Sequence, residues 1–404
     1  MPPRTVFPAF FLLFAASGIQ ESGPASILWT APAILLSALM IAWAAESAQF
    51  FIAQGFALAI LAWMQTLPEF AVEAVIAWHR EEHLLLASLT GALRLLTGFG
   101  WPVIYFTAAT VHRRRTGTPL RSIRLEDHHA VEVVGLAAPL LYFAFVIWKG
   151  SLHIYDSLVL IAIYAAYLLI LGRMPAEDPE TIDELESVPR KIVLSPRPLR
   201  IVLISALFLG GGSLIYFSAE PFLGSLLGLS AVVGVPAFVF LQWITPIASE
   251  FPEMASTFYW ARTVDRAPMA LMNMVSSNIN QWSLLPALLP VVLSISAGGI
   301  TPIVFDPRQS RELVMTLAQA LVGLMFLINM ELAFWEASVL FVLFLVPFAY
   351  AAAAPVVTIV YFVWAGVEIV RTLLGQRQPR AVIRFAAIWN KHIAGHARGS
   401  KKSP

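Results

Sequence analysis

Two short stretches of this 404-residue chain put carboxylates where apolar surroundings are expected. "MQTLPEFAVEAVIAW" covers residues 64–78 and "ASEFPEMASTFYW" covers 248–260. Each is apolar enough to lie in a bilayer, and each carries a proline followed by a glutamate: Pro68 with Glu69, and Pro252 with Glu253. A proline within a helix lacks an N–H and clashes with the carbonyl four residues back. It would therefore break the helix and free carbonyls near Met64 and Gln65, and near Ala248 and Ser249. Freed carbonyls beside a carboxylate make a hard oxygen site of the kind that holds Na⁺ or Ca²⁺. Residues three and four apart share a helix face. Thr66, Glu69 and Glu73 thus form one stripe, and Glu250, Glu253 and Thr257 form its counterpart. Ionisable groups at membrane depth are costly and mark functional positions.

The rest of the chain sets the frame for these residues. It is 58% hydrophobic and 13% charged, far from the balance of a soluble domain. Apolar runs of spanning length recur along it. Because backbone polar groups in lipid must be satisfied internally, the reading is an all-α polytopic membrane protein. The spans are expected at about 27–50, 55–79, 83–110, 129–149, 151–172, 199–220, 230–261, 267–296, 311–329 and 332–351, with an eleventh at 355–374. There is no cysteine, hence no disulfide framework and no thiolate site. No Walker, Rossmann or hydrolase signature is present, so ATP-driven transport and enzyme chemistry are not expected, nor is a nucleic-acid partner. The oligomeric state is left open.

The organisation follows from charge and proline. Residues 1–26 read as a signal peptide or a short extra helix. Residues 27–172 form a first group of five spans and 199–351 a second. Between them, 173–198 is an acidic, proline-bearing linker, read as a solvated connector too short for a core of its own. Residues 352–404 give an extra helix and a basic tail. The loop "HRRRTGTPLRSIR" (112–124) and the tail are the most basic segments outside the spans. The positive-inside rule then makes the loop, the linker and the C-terminus cytoplasmic, in a bacterial-type inner membrane. On that map the two Pro-Glu helices run in opposite directions. Inverted repeats with interrupted helices at matching positions mark secondary transporters with a midplane ion site.

At these residues the chain resembles the sodium/calcium exchanger membrane region, within the cation/calcium exchanger superfamily. Members carry a "GTSLPEL"-like turn followed by a "GNxxGSNxxN"-like helix in each repeat. The resemblance is specific over about 60–105 and 242–286. It implies ten core helices in two inverted five-helix repeats and antiport of cations, with inorganic cations and the bilayer as partners and no cofactor. It implies Glu69 and Glu253 as the central metal ligands. It sets Thr66 where the first Ser falls, and Asn273, Ser277 and Asn278 for the Asn, Ser and Asn of the second helix. The first repeat departs from the pattern, with Ala92 and Leu93 where "SN" would be and Ser88 in place of an Asn; in the second repeat Glu250 takes a Ser position. Arg94 follows directly. An intramembrane guanidinium needs a carboxylate. Glu73, Glu69 or Glu250 is the expected partner, and the pair would modulate the site by standing in for a bound cation or by tethering the repeat. Clustered carboxylates repel one another and favour protonation, which makes proton coupling plausible. The expected function is exchange of Ca²⁺ or another divalent cation for Na⁺ or H⁺. The alternatives are monovalent cation/H⁺ exchange and a non-transporting sensor or scaffold.

Several other acids and histidines invite weaker readings. "HREEH" (79–83) has zinc-compatible i, i+4 histidines but reads as a solvated loop. Asp127 is the expected cap of the following helix. Glu46 and Glu220 read as path-lining or interfacial. Glu132, Asp156, Glu331, Glu336 and Glu368 fall near span ends and read as interfacial.

Overall fold

The structure is a computed structural model describing residues 23–48, 50–51, 67–174 and 185–394. Among these, eight helices are long and apolar enough to cross a membrane. The helices are α1 (Ile27–Ala48), α2 (Leu67–Trp78), α3 (Ala87–Leu95), α4 (Trp101–Thr116), α5 (Ala130–Lys149), α6 (Ile154–Leu171) and α7 (Ser187–Val193). They continue with α8 (Arg197–Val233), α9 (Ala237–Ser249), α10 (Phe251–Ala261), α11 (Ala267–Ala297), α12 (Pro307–Leu327), α13 (Phe334–Ala349), α14 (Ala354–Leu373) and α15 (Arg380–Ile388). Residues expected at 1–22, and the start of the 55–79 span with Thr66, lie outside the described residues.

The chain divides into two compact units that cut across the order of the helices. Unit one holds Met1–Gly91, Pro175–Pro252 and Val291–Ile300; unit two holds Ala92–Met174, Glu253–Pro290 and Thr301–Pro404.

Unit one is built around α1 and α8. Ala33, Met40 and Ala44 of α1 pack with Leu207 and Leu214 of α8, and Ile192 of α7 joins them. Thr30 and Ser225 share a hydrogen bond of 3.0 Å between these helices. The described end of the linker is therefore packed, not loose: Trp43 Nε1 donates to Glu186 Oε2 at 2.9 Å. Helix α8 corrects an expected boundary. The chain was expected to leave the membrane after 220, but it stays helical through Pro221 to Val233. The run after Pro221 has no charge to stop it, and a proline within a membrane helix is tolerated when neighbours satisfy the freed groups. Gly234, at φ 75°, provides the stop. The expected 230–261 span is two helices, α9 and α10, separated at Glu250.

Unit two has an aromatic and aliphatic core in which Trp101, Tyr105, Phe143, Trp282 and Phe326 are fully buried. Phe143 and Trp282 meet edge-on at 5.0 Å. Helix α3 passes into α4 through a π-helical turn at Leu96–Gly100. Helix α12 starts on Asp306, whose carboxylate accepts from Arg308 N at 2.6 Å and Gln309 N at 2.8 Å, with Pro307 at the first helical position. Two short antiparallel pairs, unexpected in an all-helical reading, tie loops together. Strand β1 (Ser122–Arg124) pairs with β4 (Glu331–Ala333), and β2 (Ser151–Leu152) pairs with β3 (Ile303–Val304).

Several end-of-span acids are buried, where interfacial positions were expected. Asp156 is fully buried against Lys149, Tyr142 and the His153 N–H. Arg377 bridges Glu336 and Glu368, both about fully buried, at 2.6 and 3.0 Å. A carboxylate so deep must be paired, and each of these has found a cation from the next turn or helix. Asp127 is not the cap either: Glu126 occupies that position, and Asp127 pairs with Arg384 of α15 at 3.0 Å. The basic tail expected after 374 thus begins with a helix, Arg380–Ile388.

Candidate cation site

Unit one carries the first acidic cluster. Helix α2 is described from Leu67, with Pro68 and Glu69 in its first described turn. Glu69 is fully buried. Glu73, one turn on, is also fully buried, and its carboxylate has a defined task. Oε2 accepts the Leu86 N–H and Oε1 the Leu89 N–H, both at 3.2 Å. These are orphan donors at the entry to α3. Leu86 itself has φ 68°, a conformation that a branched residue holds only when its surroundings fix it.

The same unit brings α3 against α9 with no side chain between them. A Cβ on Gly91 would lie 1.8 Å from the backbone oxygen of Gln242. The Gln242 side chain donates to Thr90 Oγ1 at 2.9 Å. Glycine is required at 91 for this backbone approach. Ser88, Thr245 and Ser249 have buried hydroxyls without a hydrogen-bond partner among the described residues. Glu250 is 4% exposed and stands in the break between α9 and α10, its N–H bonded to Pro246 O at 2.9 Å. It is therefore not on one helix with Glu253, and the expected Glu250, Glu253, Thr257 stripe is interrupted.

Unit two carries the second cluster. Glu253 lies in the first turn of α10. Its Oε1 accepts from Asn273 Nδ2 at 3.3 Å and from the Ser277 hydroxyl. Asn273 and Ser277 are one turn apart on α11, so both face the same point. Pro252 precedes Glu253 in the same first turn of α10, as Pro68 precedes Glu69 in α2. Thr257 Oγ1 bonds back to the Glu253 carbonyl at 2.8 Å instead of facing the carboxylate. Asn278 also turns elsewhere: its amide accepts from Thr97 Oγ1 at 3.3 Å and donates to Met274 O at 3.1 Å.

Arg94 is 3% exposed, and the ion pair it makes differs from the expected one. Its Nη1 lies 3.0 Å from Glu312 Oε2 of α12, where Glu73, Glu69 or Glu250 was expected. Met315 sulfur approaches the same nitrogen at 3.3 Å, and Gln319 Nε2 donates to the Arg94 carbonyl at 3.0 Å. Glu312, Met315 and Gln319 share one face of α12, at intervals of three and four. Sequence reading missed Glu312, because it falls in the first turns of a helix next to Arg308 and Arg311 and reads as an interfacial acid. Gln242 was missed as well, although an amide inside the apolar run "AFVFLQWITPIAS" was a usable signal.

The weaker candidates separate from these clusters. His79 pairs with Glu220 at 3.1 Å, with their side chains 47% and 69% exposed, so Glu220 is a surface group. His83 approaches Glu81 at 3.6 Å. Among the described residues, no three or more His, Cys, Asp or Glu side chains gather as a metal cage. Ligands beyond a carboxylate would have to be the hydroxyls, amides and carbonyls that surround Glu69 and Glu253.

Comparison with known proteins places this arrangement. The family profile described as sodium/calcium exchanger protein matches residues 24–173 and 203–353, once for each repeat. A solved structure described as the H⁺/Ca²⁺ exchanger CAX is 28% identical, with a TM-score of 0.85 over 95% of each chain. The structure of native YfkE is 14% identical, with a TM-score of 0.57 over 89% of this chain and 98% of that one. A structure of the sodium-calcium exchanger NCX_Mj is 15% identical, with a TM-score of 0.52 over 84% and 99%. No curated protein matches the chain in sequence. The fold is thus an all-α multi-pass membrane architecture of two inverted five-helix repeats with a flanking helix.

Proposed function

The chain belongs to the sodium/calcium exchanger protein family, and on that premise we propose that it is a secondary antiporter exchanging Ca²⁺ or another divalent cation for H⁺ or Na⁺. One observation carries the reading. A partly buried carboxylate, Glu253, opens a helix directly after a break, and two side chains of the neighbouring helix place their polar atoms on it. Glu69 holds the corresponding place in the first repeat, buried directly after Pro68. Such a carboxylate can take a hard cation, with hydroxyl, amide and carbonyl oxygens completing the shell. Emptied of the cation, it favours a proton or another cation, because an unpaired charge drawn away from water is costly. Occupancy by one ion therefore excludes the other, which is the condition for exchange. Glu69 and Glu253 are the proposed central ligands, with Glu250, Ser277 and Asn273 as supporting groups and Thr66 as a candidate on the first repeat. The cycle would alternate access by rocking part of the bundle around the bound ion.

H⁺ is the favoured coupling ion. The 28% identical relative is described as an H⁺/Ca²⁺ exchanger. The first repeat of this chain also lacks side-chain oxygens at Ala92 and Leu93. Fewer side-chain oxygens leave room for fewer bound cations. The basic loop 112–124, the linker 173–198 and the C-terminus are proposed to face the cytoplasm of a bacterial-type cell.

The test is uptake of radioactive calcium into proteoliposomes, under an outward H⁺ gradient and separately an outward Na⁺ gradient, for wild type and Glu253→Gln. Uptake driven by the H⁺ gradient and lost in the variant is expected. Driven uptake of a monovalent cation alone would move the assignment to monovalent cation/H⁺ exchange. A protein moving no cation under either gradient would be a scaffold with the exchanger fold.

A further inference from the structure

The basic loop that follows α4 borders a cavity of about 370 Å³ in unit two. Arg121 and the residues of β1 line one wall, and Asp265 and Pro268, at the turn into α11, line the other. Successive strand residues point to opposite faces of a sheet. Ser122, Ile123 and Arg124 nonetheless all border the cavity, so it lies along the edge of β1. That edge is the free one. Arg121 O accepts the Phe334 N–H at 3.2 Å, and the Leu125 N–H donates to Met330 O at 2.9 Å. The ladder to β4 thus runs through the odd-numbered residues. By the alternation of an antiparallel pair, the Ser122 and Arg124 N–H groups point away from β4.

Two guanidiniums and one carboxylate share this cavity. Among the described residues, Arg121, Arg124 and Asp265 make no ion pair. Arg124 stands opposite Glu331 in the ladder, but that carboxylate accepts from Ser122 Oγ at 2.9 Å and from Asn329 Nδ2 at 3.1 Å. The acids next along the chain are engaged as well: Glu126 approaches His128 at 3.7 Å, and Asp127 pairs with Arg384. Arg121 and Arg124 are both exposed. Arg113, Arg114 and Arg115, exposed in the last turn of α4, add to the positive field around them.

The free N–H groups of a strand edge beside guanidiniums have the chemistry of an anion site. We infer that this cavity binds a phosphate group, carried by a lipid headgroup or free in solution. Arg121 and Arg124 give charge-assisted bonds to its oxygens, and the Ser122 and Arg124 N–H groups give fixed ones. Asp265 opposes the anion from the other wall and limits its affinity.

The experiment uses the full-length protein in neutral detergent, at a salt concentration of about 0.15 M that screens diffuse surface charge. Bound phosphatidylglycerol is counted by native mass spectrometry over a range of concentrations. Inorganic phosphate is titrated separately by calorimetry. One saturable site for at least one of the two probes is expected. Arg121→Gln combined with Arg124→Gln should weaken it roughly tenfold or more. Asp265→Asn should tighten it about two- to fivefold. Arg113→Gln, Arg114→Gln and Arg115→Gln together, outside the cavity, should change it less than about twofold. Effects of opposite sign from the arginine and aspartate variants exclude misfolding as their cause. Saturation by phosphatidylglycerol alone identifies the lipid headgroup as the ligand, and saturation by inorganic phosphate identifies the free anion. No saturable binding of either probe would overturn the proposal. So would unchanged affinity when Arg121 and Arg124 are both replaced. An equal loss in the α4 triple variant would mark diffuse attraction, and weaker binding in Asp265→Asn would mark a cationic ligand; either also overturns it.

Discussion

Arg94 and Glu312 stand 3.0 Å apart, a guanidinium and a carboxylate joined across 218 residues of sequence inside unit two. Arg94 is 3% exposed and Glu312 22%, so the pair is shielded more on one side than on the other. Removing one member of a buried pair leaves an uncompensated charge and costs about 3–5 kcal/mol, whereas removing both costs far less. Arg94→Gln and Glu312→Gln should each lower the apparent Tm in detergent, and the double variant should recover most of the loss. If Arg94 also serves as a fixed cation at the site, the double variant will be stable yet altered in ion dependence. Calcium uptake at varied Na⁺ and pH measures that separation.

Ser277 and Asn273 hold the Glu253 carboxylate. A hydrogen bond to a charged group contributes about 1.5–3 kcal/mol. Ser277→Ala should therefore raise the apparent KM for Ca²⁺ roughly tenfold or more while leaving Tm nearly unchanged, because outer groups of a metal site carry about 10–100-fold in affinity. Glu253→Gln should abolish uptake. Initial rates over a range of calcium concentrations distinguish a KM effect from a failure of turnover.

Protons and the cation compete for the same carboxylates under the proposed exchange. Lowering the pH on the side that presents calcium should then raise the apparent KM there without changing the maximal rate at saturating calcium. Raising the pH on that side should lower it. Uptake measured with pH varied on one side only checks the sign.

Glu73 and Glu69 are expected to part company. Glu73 holds two backbone N–H groups at the entry to α3, and a glutamine there offers one acceptor and turns an N–H₂ toward a donor. An unsatisfied buried donor costs about 1–3 kcal/mol. Glu73→Gln should lower the apparent Tm, and Glu69→Gln should remove uptake at an unchanged Tm. Paired melting and transport curves decide it.

Gly91→Ala should fail more severely than an ordinary glycine replacement. The new methyl would meet the backbone oxygen of Gln242 at 1.8 Å, with no flexible side-chain end to give way. Overpacking costs about 1–3 kcal/mol even where side chains can shift. Loss of monodisperse protein on size exclusion is the expected outcome.

The two Pro-Glu pairs, the repeat around them and the Asn273 and Ser277 positions beside Glu253 were legible in the sequence because polar residues in apolar runs stand out. What those groups touch was not. A buried carboxylate reads the same whether it holds a cation or a helix terminus, so Glu73 looked like a ligand. The partner of Arg94 lay too far along the chain for local periodicity to name it. The span expected at 199–220 fell short of Val233 because the effect of Pro221 on a helix depends on neighbours that the sequence does not show. The end-of-span acids looked interfacial because their cations, such as Arg377 for Glu336 and Glu368, come from another turn or helix.

The β1–β4 ladder has a bearing on how the chain is made. Ser122 Oγ donates to Glu331 Oε2 at 2.9 Å, from a residue 209 positions later. Contacts so distant in sequence form late, since the loop between them must close first. When the first repeat leaves the ribosome, neither β4 nor Glu312 has been translated. The nascent chain must therefore shelter the Arg94 guanidinium in the bilayer until the second repeat arrives. Unit two closes only near the end of synthesis, once α12 and β4 are made.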